Sequence, residues 1–259
     1  MKVVILCGGQ GTRLREETEF RPKPLVEVGG RPILLHIMKL YAHYGFRDFV
    51  LCLGYRGTMI KEHFLSYEAM NNDFTVSLGA TRRITYHGSH DEDGFAVTLA
   101  DTGLDSMTGK RIKAVQKYVD GDTFMVTYGD GVSDVNVEAL LAFHRQHGRL
   151  ATVTTHRPIS RFGVLELEKS GSVKGFDEKP QLDGWVNVGF FVFERKVFDY
   201  LSDDLSCALE QEPLQRLARD GQLVAYRHDG FFFAMDTYRE FKVLNDLWDR
   251  HVAPWKVWP

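Results

Sequence analysis

Val3-Val4-Ile5-Leu6-Cys7-Gly8-Gly9-Gln10-Gly11-Thr12-Arg13-Leu14 is the stretch from which the fold can be read. Its unbroken apolar start suits a strand buried on both faces, as in a parallel sheet. The strand runs into a loop with three glycines, and the loop ends in a cation. Glycine lets backbone approach a ligand closely, and successive free N–H groups can ring a phosphate. Arg13 adds a planar fork of donors suited to phosphate oxygens. A tight turn after a first strand is the plain alternative. The loop fits neither common phosphate motif. Leu14 stands where G-x-G-x-x-G, begun at Gly9, needs its third glycine, and no Gly-Lys-Ser/Thr follows.

Downstream, Pro22-Lys23-Pro24 forbids helix and gives Lys23 a stiff mount, whether for a ligand or for solvent. Pro32 is expected to open a helix with Ile33, Ile37, Leu40 and Tyr41 on one stripe, ended by Gly45. Strands follow at Phe49–Leu53 and Phe74–Leu78, with a helix at Met59–Leu65 between them. This alternation implies βαβ units, an α/β fold with a mostly parallel sheet and right-handed crossovers. Ligands collect at the carboxyl ends of such strands, where the glycine loop lies. From Thr81 to Asp93 the signal weakens. His87-Gly88-Ser89-His90-Asp91-Glu92-Asp93 has metal-binding residue types but reads as a solvated loop, because two His at i, i+3 need helix to converge.

A strand at Phe95–Leu99 leads to Gly103 and Ser106-Met107-Thr108-Gly109-Lys110-Arg111, one residue too long for a Walker loop. Arg111 lies near the start of a helix expected over Arg111–Val119, where free N–H groups favour an anion or a polar ligand edge. An N-capped surface helix is the alternative. The apolar strand Phe124–Tyr128 ends in Gly129-Asp130-Gly131. A carboxylate there can hold Mg²⁺ against a phosphate, or can serve a turn. Val186–Phe193 reads as one long strand with the polar Asn187 inside it, which needs a partner, structural or ligand. Phe231–Met235 is another apolar run ending in an acid, Asp236, which is expected to cap the last helix.

The chain has 259 residues, enough for one large α/β domain or two small ones. Its net charge of −3 carries no basic field for nucleic acid or an anionic membrane. Three cysteines, far apart and odd in number, argue against a disulfide framework or structural zinc and fit a reducing cytoplasm. The first apolar run is too short for a signal peptide, and no segment is long enough to span a bilayer. A dinucleotide-dependent oxidoreductase is disfavoured by the missing third glycine. The second strand also ends in Gly54-Tyr55-Arg56 rather than an acid.

The order Gly-Gly-x-Gly-Thr-Arg-Leu, Pro-Lys-Pro, Tyr-Gly-Asp-Gly, Glu-Lys-Pro, Asn-x-Gly-Phe-Phe and Met-Asp-Thr resembles the sugar-phosphate nucleotidyltransferases over essentially the whole chain. Within that family it is similar to the cytidylyl branch, on Arg13–Thr18, Ser106–Arg111 and Ala253–Lys256. Cys7 stands where Ala is more usual. The resemblance implies a single domain with the nucleotide-diphospho-sugar transferase fold, a Rossmann-like mixed, mostly parallel sheet flanked by helices. Residues 1–135 would form the nucleotide-binding half, and 136–259 the half that completes the sugar and metal sites. It implies CTP and glucose 1-phosphate as substrates, CDP-glucose and pyrophosphate as products, and Mg²⁺ as cofactor. It also implies a cytoplasmic homo-oligomer, with hexamers in this branch, feeding surface-polysaccharide synthesis. Leu6, Cys7, Gly8, Gly9, Gln10, Gly11, Thr12 and Arg13 would hold the nucleotide, together with Ser106, Thr108, Gly109, Arg111 and Gly129. Lys23, Lys179, Asn187 and Gly189 would hold the sugar phosphate. Arg13, Lys23 and Asp130 would be catalytic, and Asp130 with Asp236 would bind the metal. A non-catalytic, nucleotide-sensing subunit of the same fold would be expected to have lost these charged residues.

Overall fold

The computed structural model describes residues 1–79 and 83–259. Its centre is an eight-stranded sheet of β1 (Lys2–Cys7), β2 (Asp48–Leu53), β3 (Ala96–Asp101), β4 (Thr123–Tyr128), β5 (Ala151–His156), β6 (Val186–Asn187), β7 (Phe191–Glu194) and β8 (Leu223–Arg227). Four strands lie side by side as β3–β2–β1–β4, all parallel. β7 is antiparallel to both β4 and β5, and β8 is parallel to β5. The sheet is therefore mixed and mostly parallel, as the α/β reading expects.

β1 shows why its sequence is apolar without alternation. Val3, Ile5 and Cys7 enter one hydrophobic cluster, with Ile33, Ile37 and Met38 of helix α1 (Ile33–His43). Val4 and Leu6 enter the opposite cluster, with Ile112, Val115 and Phe198. Each face of the strand meets a separate layer, so no position from Val3 to Cys7 can be polar. Cys7 points into this core, 1% exposed, and burial holds its thiol well above the ordinary range.

Three expectations need correction. Phe74–Ser77 is not a strand of the main sheet; it forms a separate antiparallel hairpin with Arg83–Tyr86, and β3 takes the third parallel place. Its residues are mostly exposed, so no second layer demanded a central position. The weak stretch from Thr81 begins outside the described residues. Val186–Phe193 is not one strand, because Gly189 (φ 79°) and Phe190 (φ 48°) break it into β6 and β7. The break is forced locally: a Cβ on Gly189 would lie 2.8 Å from the Tyr128 ring. The helix expected at Arg111–Val119 runs over Thr108–Ala114 (α2), followed by a 3₁₀ turn at Gln116–Tyr118.

The chain leaves β1 towards β2 on one side, while β4 lies on the other. That strand-order reversal opens a crevice at the carboxyl ends of β1 and β4, the usual ligand position in such sheets.

Candidate active site

A cavity of about 360 Å³ occupies that crevice. It is lined by Leu6, Cys7, Gly8, Gly9, Gly11, Thr12, Arg13, Lys23, Ser106, Thr108, Arg111, Gly129 and Asp130 of the expected residues. Pro24, Met107 and Tyr128 line it too; they stand inside the quoted motifs but are not among the expected site residues. Gln10, Gly109, Lys179, Asn187, Gly189 and Asp236 are not part of its wall.

The glycines of the first loop serve different ends. Gly8 is packed on Arg111, and a Cβ there would meet Nη1 at 2.2 Å. Gly9 faces open space, and Gly11 adopts φ 63° beside Thr18. Among the described residues, the N–H groups of Gly9, Gln10, Gly11, Thr12 and Arg13 donate to no protein acceptor. Five successive free donors beside a cavity form an anion-binding nest.

Lys23 supplies the centre of charge. Its Nζ donates to Asp130 Oδ2 at 2.6 Å and to Asp236 Oδ1 at 2.8 Å, and its side chain is only 10% exposed. Arg13 Nη2 reaches the same Asp236 oxygen at 2.9 Å. Burial alone would lower the Lys23 pKa, but the charges and hydrogen bonds of Asp130 and Asp236 outweigh it and hold the pKa above the usual lysine value. One ammonium touching both carboxylates shows that they converge on a point a single cation can occupy. An all-oxygen pair beside a phosphate nest fits Mg²⁺.

Asp130 and Asp236 are far apart in sequence, and a short ladder joins them. Gly131–Ser133 pairs antiparallel with Phe232–Ala234, and Met235 N donates to Asp130 O at 2.9 Å. Asp236 is not the helix cap expected of it. Thr237 caps helix α3 (Tyr238–Asp249) in a reciprocal box with Glu240. Glu240 Oε2 also accepts from Asp236 N at 2.8 Å, and the Asp236 carboxylate is left to Lys23 and Arg13.

Arg111 behaves otherwise than a free phosphate ligand. Its side chain is buried, and its guanidinium donates to the carbonyls of Leu53, Gly103, Gly8 and Leu104 and to Thr102 Oγ1, at 2.7 to 3.1 Å. It ties the loops after β1, β2 and β3 into one floor. The Ser106 hydroxyl is spent on Thr102 O and the Thr108 hydroxyl on Glu210. Gly109 packs on Cys207. Asn187 has structural partners: Nδ2 donates to Tyr128 Oη at 3.3 Å, and Oδ1 accepts from Gly189 N at 2.8 Å. Lys179 lies on an exposed loop beside Glu178 at φ 51°. Tyr128 stands in the Tyr-Gly-Asp-Gly motif without having been given a role, and Glu210, which accepts from its hydroxyl at 2.6 Å, stands in no recognisable spacing.

A parallel sheet, a phosphate nest, two convergent carboxylates and two cations at its carboxyl edge define a class of enzymes acting on phosphate esters of nucleotides. A profile of the nucleotidyl transferase family matches residues 2–231, and the chain belongs to that family. The glucose-1-phosphate cytidylyltransferase of Salmonella typhimurium is 47% identical over the full length of both chains. The mannose-1-phosphate guanylyltransferase catalytic subunit beta of Dictyostelium discoideum is 30% identical over 93% of this chain and 62% of its own. A UDP-glucose pyrophosphorylase structure superposes with a TM-score of 0.69 at 13% identity, covering 96% of this chain and 98% of that one, which shows the shared fold.

Proposed function

We propose that this chain transfers a cytidylyl group from CTP to α-D-glucose 1-phosphate, giving CDP-glucose and pyrophosphate. The convergence of Lys23, Arg13, Asp130 and Asp236 beside the free N–H groups carries the reaction class. Full-length similarity to the Salmonella enzyme favours CTP and glucose 1-phosphate over other pairs. The work would be done in the cytoplasm by a homo-oligomer, as a step towards CDP-linked deoxysugars.

The sugar phosphate is already an anion near neutral pH, since a monoester's second pKa is about 6. No general base is needed. The obstacle is bringing two anions together and stabilising an in-line transition state at the α-phosphorus, which positioning and charge neutralisation supply. The nest from Gly9 to Arg13 would hold the β- and γ-phosphates. Arg13, which is 71% exposed, can swing from Asp236 onto the leaving pyrophosphate. Lys23 would bridge the sugar phosphate and the α-phosphate, kept in place by Pro22 and Pro24. Asp130 and Asp236 would hold Mg²⁺, which when bound neutralises phosphate charge. Arg111 would act through the carbonyls it fixes, shaping the floor under the nucleotide. Lys179, Asn187 and Gly189 would border the hexose from outside the cavity wall.

Pyrophosphate release across a panel of nucleoside triphosphates and hexose 1-phosphates tests this reading. Turnover is expected with CTP and glucose 1-phosphate. Activity with UTP or dTTP but not CTP would sink the base assignment and leave the family standing. Asp130→Asn and Asp236→Asn should each abolish metal-dependent turnover with circular dichroism unchanged; near wild-type rates in either would remove that residue from the metal site.

A further inference from the structure

Outside the wall of this cavity, before the first residue of β3, the structure gathers a second set of ligand-type groups. His90 Nε2 lies 3.1 Å from Glu68 Oε1 and 3.4 Å from Asp93 Oδ1. All three ligand atoms lie within 4.8 Å of one another. The partner of His90 is not its i, i+3 neighbour His87 but Glu68 from the short helix Tyr67–Asn71, so the stretch read as a solvated loop is tied down here. That contact has no trace in the local spacing.

The arrangement is supported from behind. His90 is nine-tenths buried, with its ring edge-to-face on Tyr67 at 5.0 Å. Its Nδ1 is buried without a hydrogen-bond partner and faces Glu92 Oε2 at 3.5 Å. Glu92 is itself buried and held by Arg31 at 2.9 Å and Lys39 at 3.3 Å. Asn72 Nδ2 donates to Glu68 Oε2 at 3.2 Å, which leaves Oε1 turned to the histidine. One imidazole therefore faces carboxylates at both nitrogens, and its single Nε2 position meets two of them. A ring N–H can satisfy only one. A carboxylate behind the far nitrogen is the usual support of a metal-bound histidine.

We propose that Glu68, His90 and Asp93 form a binding site for a divalent transition ion of the Zn²⁺ class, with water completing its coordination. The spacings fit. Bond lengths of about 2.1 Å in a tetrahedral site place ligand atoms about 3.4 Å apart. An imidazole ligand selects against Mg²⁺ and Ca²⁺, which take oxygen. The ion would clip helix Tyr67–Asn71, and with it the hairpin that follows, to the loop entering β3. It is independent of the catalytic assignment, because none of its residues lines that cavity.

The test is calorimetric titration of the full-length protein with Zn²⁺ in excess Mg²⁺, paired with thermal melts. Wild type should bind one equivalent that Asp130→Asn and His87→Gln retain, and Zn²⁺ should raise its Tm. Glu68→Gln and His90→Gln should each weaken that binding by more than about tenfold and lose the Tm rise. Glu68 is exposed, so its variant guards against a folding defect in the His90 variant. Unchanged Zn²⁺ binding in both variants overturns the proposal. So does the absence of binding in wild type, which would leave His90 to its contacts with Glu68 and Asp93 alone.

Discussion

Lys23 occupies the point between Asp130 and Asp236 in the free protein. Removing its ammonium leaves two carboxylates facing each other and removes a donor from the transition state. Lys23→Ala should therefore lose about two to three orders of magnitude in kcat. It should also bind Mg²⁺ more tightly than wild type in the absence of nucleotide, read by calorimetry, because the competing cation is gone. Weaker Mg²⁺ binding in that variant would mean that the lysine supports the metal site instead of sharing its ligands. Gly8 offers a different kind of test. A Cβ there would fall 2.2 Å from Arg111 Nη1, and Arg111 has five acceptors holding it still. Gly8→Ala should cost about 1–3 kcal/mol in urea unfolding and raise the KM for nucleotide. A variant with wild-type stability would show that Arg111 can move.

Elements decide where the acids go. The pairing of Gly131–Ser133 with Phe232–Ala234 carries Asp236 to Asp130, and α3 starts one residue later so that Asp236 is not consumed as a cap. Thr237 takes the capping role in its place. Thr237→Ala should lower stability by about 1 kcal/mol, measured by denaturant midpoint, and should reduce turnover as well, since Glu240 positions both Thr237 N and Asp236 N. A stability loss with full activity would separate the cap from the site. The β6–β7 break works in the same way: Gly189 clears the Tyr128 ring, and Asn187 turns to Tyr128 and to its own loop.

At the scale of the whole molecule, the C-terminal segment closes over α1. Trp255 Nε1 donates to His36 Nδ1 at 3.3 Å, and His36 Nε2 bonds Val28 O at 2.8 Å. Burial lowers the His36 pKa from 6.5 to about 4. The folded-state pKa lies below the unfolded one, so between these values the unfolded chain binds more protons. Stability should fall as pH drops from 6.5 towards 4, by roughly 3 kcal/mol at most. A pH series of denaturant midpoints checks this: His36→Gln should flatten that part of the slope, and an unchanged slope would place the acid sensitivity elsewhere.

Read alone, the chain determines the α/β class, the central strands β1, β2 and β4, and the carboxyl edge at which the glycine loop lies. β1 has to be buried on both faces, its loop has to bring free N–H groups to a strand's carboxyl end, and Lys23 has to sit on a rigid mount; all are local consequences of apolar runs, glycine and proline. Gly129-Asp130-Gly131 is legible for the same reason. Only the tertiary structure decides which distant groups meet. It joins Asp236 to Asp130 through a three-residue ladder, spends Arg111 on the carbonyls of three loops, brings Glu210 to Tyr128 and sets Glu68 against His90. The physical reason is range. Periodicity and turn chemistry act over a few residues, whereas these contacts join side chains whose separations in sequence carry no repeat. Charge satisfaction and packing choose among such partners only after the sheet has placed them together.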